Sequence, residues 1–530
     1  MPINSGSSTS AGVYVGEQDN SLRATAISTS IGAIVGPSHK GPVGEPTLVV
    51  DEDEFINTFG QSDEALTFMH YCARAFLQDS NRLYVVRVAV EAKLGGLKIA
   101  TEGNFSVAKP LVSGYDAIED VVFSQDDIMV ILARNPGEWN NDLRVLMYPN
   151  TNDPEGEQFV LQIFEGTSQI AKEVFYGTLR DKLDGYGHQL NIVNQCEENS
   201  KLVQILVNEE HPRFLFNEAT LLINALLTGS FTYGSSGDPV TQSDIIQGWD
   251  RFSDKEEVSV SILINAGYTD VSVQLKMADI AEKRDDCFAV LDIPRNEQSV
   301  QEAIAYRRET LNLNSSYAAL YAPDLWVRDT REQRDLYLPP SGHVAGVYAR
   351  TDRVADTWFA PAGLNRGQLN VNGIREIYKQ GHRDALHENQ INPIRLISGK
   401  GIVVWGAETL QAHASALSNV NVRRLLNLLK NSIANAILVG VFEPNDRFLR
   451  LQLVGVAEGL LNPIKRGRGL YGFSVICDER NNTNETIANG DLILDVYIDP
   501  VIPAKRIHLN AIIPKTGQIK FAQELIYPPA

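Results

Sequence analysis

The sequence predicts a multidomain α+β protein, with a discontinuous α/β core from both chain ends, an inserted β-rich domain and extended terminal arms. Three observations carry this reading. The chain has 530 residues, several times the roughly 150 of one domain. From Val258 to Tyr321 strand and helix patterns alternate, which argues for an α/β layer. Between about residues 95 and 240 that alternation gives way to short strand-like runs separated by turn residues, which argues for a separate β-rich unit. Hydrophobic residues at 43% and charged residues at 21% exclude wholesale disorder and a fibrous repeat.

Residues 1–22 read as an N-terminal arm, Ser/Gly/Thr-rich to residue 12 and then extended at Val13, Tyr14 and Val15. Residues 23–94 supply the first part of the core. Ile31, Ile34 and Val35 run into Gly36-Pro37 as a strand into a turn, Asp53-Glu54-Phe55-Ile56 starts a helix, and Leu83–Val88 is a β-branched strand. Residues 95–240 form the insert, with strand candidates Val121–Phe123, Ile128–Leu132, Leu143–Met147, Phe159–Phe164 and Leu202–Val207 and an exit linker at Thr232–Pro239. Residues 241–330 are the α/β middle segment: strand Val260–Ile264, helix Val271–Lys283, strand Phe288–Ile293, helix Ser299–Leu311, strand Tyr317–Tyr321.

Residues 331–502 form a C-terminal domain that begins in Pro/Gly-rich loops, Leu338–Gly342 and Ala360–Gly363. Two helices follow. In the first, Val422, Leu425, Leu426, Leu429, Ile433, Ala436 and Ile437 recur at helical spacing, and Arg423, Asn427 and Lys430 make another stripe with Arg424 at its edge. The second opens after Pro444-Asn445-Asp446, a capping signal. Alternating strands come next, with Leu492, Leu494, Val496 and Ile498 on one face and then Ile507, Leu509, Ala511 and Ile513 on another. Residues 503–530, punctuated by Pro503, Pro514 and Pro528, form a C-terminal arm.

Several function classes fall away on chemistry. A net charge of −19 argues against nucleic acid, whose phosphates need a basic surface. The charge is uneven: residues 1–314 carry 23 Lys+Arg against 46 Asp+Glu, and residues 315–530 carry 24 against 20. An acidic partner would therefore lie against the back half. Arg23 is the first cation, so a secretory signal is not expected, and no apolar run is long enough for a bilayer span. These features predict a soluble protein made in the cytosol. Cys72, Cys196, Cys287 and Cys477 are far apart, so they predict buried thiols and neither zinc nor a disulfide framework. His382 and His387 flank Arg383 and Asp384 beside Glu388, but a spacing of five does not share a helical face, so no metal is expected. Gly467-Arg468-Gly469-Leu470-Tyr471-Gly472 is a literal G-x-G-x-x-G. It follows a helix and enters a strand, the reverse of the dinucleotide context, and reads as a turn. No catalytic residues and no cofactor are predicted; the alternative reading is an α/β enzyme with a nucleotide site at Gly467–Gly472.

A series of blocks in fixed order resembles the contractile-tail sheath proteins of phage tails and related injection systems. They are Gly12-Val13-Tyr14-Val15, Ile34-Val35-Gly36-Pro37, Lys40–Pro46, Asn135–Asn141, Leu291–Pro294, Ser315–Tyr321, Pro339–Gly346, Trp358–Gly363, Asn421–Leu425 and Phe442–Asp446. The family often has Pro where this chain has Ala11, and its members commonly stop near Ile513.

The resemblance implies a non-enzymatic subunit of a helical sheath around a tail tube. Such a subunit polymerises by adding terminal strands to sheets of neighbouring copies, here Val13, Tyr14, Val15, Ile507, Leu509, Ala511 and Ile513. It contracts from a metastable extended state to drive the tube through a cell envelope. The implied partners are other copies, a tail tube protein, and baseplate and tail terminator proteins, with no nucleic acid and no membrane. The implied location is the virion tail, a phage fitting better than a bacteriocin or secretion machine. The family's C-terminal domain faces the tube, which makes the basic stripe of Arg423, Arg424, Asn427 and Lys430 the tube-facing candidate.

Overall fold

The computed structural model describes residues 30–61, 67–102, 105–153, 158–183, 187–211, 226–329 and 333–509. Val13, Tyr14, Val15, Ala511 and Ile513 lie outside the described residues. Burial organises the rest into a central α/β domain, an inserted β domain and a C-terminal lobe.

The central domain is built on a nine-stranded sheet. Six neighbouring strands are parallel, in the order Ile391–Ile397, Ala318–Ala322, Phe288–Asp292, Ile262–Ile264, Gly32–Gly36 and Leu83–Arg87. Thr47–Val49 closes one edge antiparallel, and Gly401–Val404 followed by Gln368–Leu369 closes the other. Gly32–Gly36 therefore lies between strands from both sides of the insert in sequence, so the core is discontinuous. Its five residues are all buried, as a sheet covered on both faces requires. One face packs against the helices Gln242–Asp250 and Val271–Arg284, burying Trp249, Phe252 and Met277. The other packs against Thr67–Leu77 and Ser341–Val354, burying Met69, Phe76, Val344 and Tyr348.

Most predicted central elements form within a residue or two. The helix expected at Asp53 spans Glu52–Phe59, capped by the Asp51 carboxylate, which accepts from the Glu54 N–H at 2.7 Å. The helix expected over Ser299–Leu311 is α-helical only to Ala305 and continues as a π-helix from Tyr306 to Leu311. The larger miss is Ser341–Val354, read as the end of a Pro/Gly loop. Nine of its fourteen residues are buried, including Gly342 and Gly346, so no polar stripe advertises the helix. A Cβ on Gly342 would stand 2.5 Å from the Cys72 Cα, and the glycine thus permits two helices to cross in direct contact.

The insert consists of two antiparallel four-stranded sheets. One has the order Val203–Val207, Asp127–Ala133, Gly96–Glu102, Phe105–Pro110, and the other Leu227–Ser230, Leu143–Pro149, Phe159–Glu165, Glu173–Gly177. They enclose a core of their own with Leu97, Ile131, Val145, Leu161, Ile192 and Phe231. Val121–Phe123, expected as a strand, is irregular and packs beside a satellite cluster of Leu94, Leu111, Val130 and Leu132. The expected exit linker is not loose: Thr232, Ser235 and Asp238 pair antiparallel with Gly96, Lys93 and Val90 of the entering segment.

One buried group gives the central domain a pH signature. Asp292 is 0% exposed; its carboxylate accepts from the N–H groups of Ser341 at 2.8 Å and Gly267 at 3.0 Å. Burial outweighs these bonds and raises its pKa to about 7. Because the folded pKa lies above the unfolded value, the native state holds more protons between roughly pH 4 and 7. This group's contribution to stability therefore falls as pH rises through that window and is flat above it. The stability difference between wild type and Asp292→Asn is expected to shift against wild type by a few kcal/mol on the order of magnitude from pH 4 to 7, read by denaturant titration at each pH. A pH-independent difference would contradict the assignment.

Candidate functional site

The candidate site lies on the C-terminal lobe. Helices Val420–Ile437 and Arg447–Arg466 pack together and against a hairpin of Leu470–Ile476 and Asp495–Pro500. Leu425, Leu429, Ile433, Leu460, Leu461, Ile464 and Leu470 form the core, with Trp358, Phe473, Val475, Val496 and Ile498 partly buried against it. The second helix begins where the sequence placed it, with the Asp446 carboxylate accepting from the Leu449 N–H at 2.8 Å.

The hairpin is a two-stranded sheet on its own among the described residues. Among the described residues each strand therefore leaves its outer row of N–H and C=O groups without a strand partner, the arrangement that accepts an added strand. One face is packed on the lobe while Tyr471 and Tyr497 stand exposed on the other. The chain then leaves through Val501, whose N–H donates to Gly469 O at 3.0 Å. Lys505 pairs with Glu408 of the central domain at 2.8 Å. Glu408 is itself fixed by Asn392, which accepts from its N–H at 2.7 Å and donates to its carbonyl at 2.7 Å. Beyond that anchor Ile507 is 88% and Leu509 91% exposed. The strand expected to start at Ile507 is unpaired over residues 507–509, and its remainder lies outside the described residues.

The expected basic stripe is not an exposed surface. Arg423, Arg424 and Asn427 are 5%, 4% and 3% exposed, because the first half of their helix packs on the central domain as well as on its own lobe. Arg424 pairs with Asp352 at 2.6 Å and 3.0 Å and lies over the Tyr348 ring at 4.8 Å. Arg423 lies over the Tyr317 ring at 4.1 Å, and burial lowers its pKa. Asn427 donates to the Cys287 carbonyl at 3.0 Å. Lys430 alone is substantially exposed, and it pairs with Asp285 at 3.1 Å. Burial pushes the Asp285 pKa up, but hydrogen bonds from Tyr317 and Lys430 outweigh it and the net shift is downward. The tube-facing assignment is therefore corrected for Arg423, Arg424 and Asn427: a helix buried on two sides uses its cations to dock one lobe onto another. Sequence periodicity shows which residues share a stripe and not what covers it.

The glycine-rich run also has a packing role. Trp358 Nε1 donates to the Gly467 carbonyl at 2.8 Å. A Cβ on Gly467 would stand 2.8 Å from Trp358 Cζ2, and one on Gly469 would stand 2.9 Å from Trp358 Cγ. The run links the helix ending at Arg466 to the strand starting at Leu470, and its glycines make room for an indole where a dinucleotide loop would make room for phosphate. Gly469→Val is expected to destabilise the lobe by about 1–3 kcal/mol through overpacking, measurable as a lowered unfolding midpoint.

His387 Nδ1 faces Glu408 Oε2 at 3.8 Å, and among the described residues no three His, Cys, Asp or Glu side chains converge as metal ligands. All four cysteines are free and buried. Desolvation pushes the Cys196 thiol up to about 12 and raises Cys72, Cys287 and Cys477 as well, the opposite of an activated nucleophile. No described helix is long and apolar enough to cross a membrane.

Comparison with known proteins agrees with this architecture. The family model for the phage tail sheath protein central domain matches residues 238–410, and that for the phage tail sheath C-terminal domain matches residues 413–513. The tail sheath protein of Enterobacteria phage T4 is 32% identical over 436 residues, covering 73% of this chain and 65% of the T4 protein. That of Vibrio phage KVP40 is 31% identical over 316 residues, covering 54% of this chain and 47% of its own. The chain thus spans less than two thirds of the length of these relatives. Among solved structures, the sheath tail protein of Listeria innocua superposes with a TM-score of 0.57 at 12% identity, covering 90% of this chain and 96% of its own. The contracted sheath complex of the PVC extracellular contractile injection system gives 0.54 at 16% identity, covering 96% and 98%. With two adjoining sheath-domain models covering more than half of its residues in the order that its central sheet and C-terminal lobe occupy, the chain belongs to the phage tail sheath family.

Proposed function

We propose that this protein is the repeating subunit of the helical contractile sheath around the tail tube of a phage. The observation that carries the reading is the C-terminal hairpin, whose outer edges pair with no other described strand, beside an anchored chain that leaves the body with Ile507 and Leu509 uncovered. Terminal segments of neighbouring copies add strands to that hairpin, and backbone hydrogen bonds link copies while leaving the bodies able to reorient. A head-to-tail contact that does not close by rotation generates an open helix. Contraction is then a passage from a metastable packing to one of lower free energy, driving the tube through a cell envelope without nucleotide hydrolysis. The role is structural rather than enzymatic.

The partners on this reading are other copies, a tube protein, and the baseplate and terminator at the two ends; nucleic acid and membrane are not among them. The subunit is made in the host cytoplasm and resides in the virion tail. The central test is electron microscopy of the concentrated full chain: long striated tubes are expected, and discrete particles at all concentrations would count against the reading.

The insert sits outward on this reading. It has its own core, and its two connections run side by side, so its removal leaves a short gap to bridge. Replacement of residues 95–240 by a short linker is expected to leave tube formation within about threefold of wild type, whereas disruption within 400–513 abolishes it. Digestion of assembled tubes checks the placement: cleavage should fall in the insert first, and prior cleavage of the C-terminal lobe would contradict it.

A further inference from the structure

We propose that Arg87 is a latch that locks the inserted domain to the central sheet, so that the two move as one rigid body. Arg87 ends the strand Leu83–Arg87 and is 1% exposed. Among the described residues no carboxylate pairs with it. Its guanidinium instead donates to four backbone carbonyls: Nε to Ser38 at 3.1 Å, Nη1 to Gly41 at 2.7 Å and to Pro136 at 2.7 Å, and Nη2 to His39 at 3.4 Å. Three of these carbonyls belong to a turn of the central domain, and the fourth belongs to the Asn135–Asn141 turn of the insert. A buried cation held only by carbonyls is stable while every one stays in place. Withdrawing the insert would remove one acceptor from a desolvated charge.

Independent contacts surround the latch. Lys40, from the same central turn, reaches the insert's Glu165 at 2.8 Å and lies 5.7 Å from the Trp139 ring centre. Gly137 has φ +150°, and a Cβ there would stand 2.9 Å from the His39 carbonyl, so the two turns meet backbone to backbone. The Asn140 side chain accepts from the Gly95 N–H at 2.8 Å and donates to the Asn135 carbonyl at 3.0 Å, tying the insert turn to the entering chain. A swinging domain needs few bonds and wet connections at its junction; this junction has the opposite character.

The test is limited digestion of the unassembled full chain with a broad-specificity protease, which does not depend on whether the protein polymerises. Arg87→Met removes the latch from the core side, and Gly137→Ala opens the same junction from the insert side. Both are expected to raise cleavage within residues 88–95 and 232–239 at least tenfold while the insert fragment stays intact. Cleavage at those segments within twofold of wild type in Gly137→Ala overturns the proposal. So does cleavage of the insert core or the central helices at the same rate as the connections in that variant, which would mark general unfolding. If Arg87→Met does not fold, the Gly137→Ala result decides. Tube formation, scored separately by microscopy, reports on the sheath reading and leaves this one unaffected.

Discussion

Replacing Arg424 with Glu is expected to detach the C-terminal lobe from the central domain and to cost about 3–5 kcal/mol, the range for breaking a buried pair by removing one partner. Arg424 and Asp352 have side chains 3% and 6% exposed. The substitution puts a second carboxylate beside Asp352 in a buried contact where the guanidinium stood. The neighbouring contacts of Arg423 with Tyr317 and of Asn427 with the Cys287 carbonyl lie on the same helix and are expected to loosen with it. Denaturation should become biphasic, the lobe unfolding before the central sheet. Arg424→Glu combined with Asp352→Arg should recover at least half of the loss, since the pair is restored with its sense reversed. A single transition with a midpoint unchanged from wild type in Arg424→Glu would refute the docking role. An exposed tube contact would behave differently, because surface ion pairs contribute only about 0.2–1 kcal/mol and their loss leaves the free subunit's stability intact.

This contrast also locates what the sequence makes legible. Helices with a clear period and strands that are continuous apolar runs are plain from residues alone: Val271–Arg284, Arg447–Arg466 and the buried strands Phe288–Asp292 and Gly32–Gly36 form where the patterns place them. Helices enclosed on several sides are not. Ser341–Val354 hides because core glycines replace the polar stripe, and Val420–Ile437 misleads because a stripe of cations pairs inside the molecule. The insert strands Gly96–Glu102 and Glu173–Gly177 are mixed in composition, each pairing with a strand adjacent to it in sequence, and local propensity is weak evidence for such segments. The glycines at 467 and 469 match a cofactor template in letters, and only the position of Trp358, over a hundred residues away, shows why they are glycines. The nearest signal was the order of elements: helix before, strand after.

Truncation before Lys505 is expected to abolish connected sheath while leaving a folded subunit. Among the described residues the lobe's core ends with Ile498, so truncation before Lys505 takes no described core side chain with it, and the unfolding midpoint should stay within about 1 °C of wild type. What it removes is the Lys505–Glu408 anchor and the exposed chain beyond it. An added strand of four or five residues contributes about four backbone hydrogen bonds, at a net 0.5–1.5 kcal/mol each. Their loss weakens each copy-to-copy link by about 4 kcal/mol, close to a thousandfold in association constant at 1.4 kcal/mol per tenfold. Deletion of residues 2–22 should act alike if that segment supplies the partner strand, and the double truncation should be no worse than either alone where both are needed for one link. Glu408→Gln separates the anchor from the strand: an exposed pair of this kind contributes at most about 1 kcal/mol, so tube formation should fall no more than fivefold. Sedimentation gives the critical concentration for each variant. Tubes of normal length at wild-type concentration from the truncated chain would show that copies are joined through their bodies and that the hairpin edges serve another purpose.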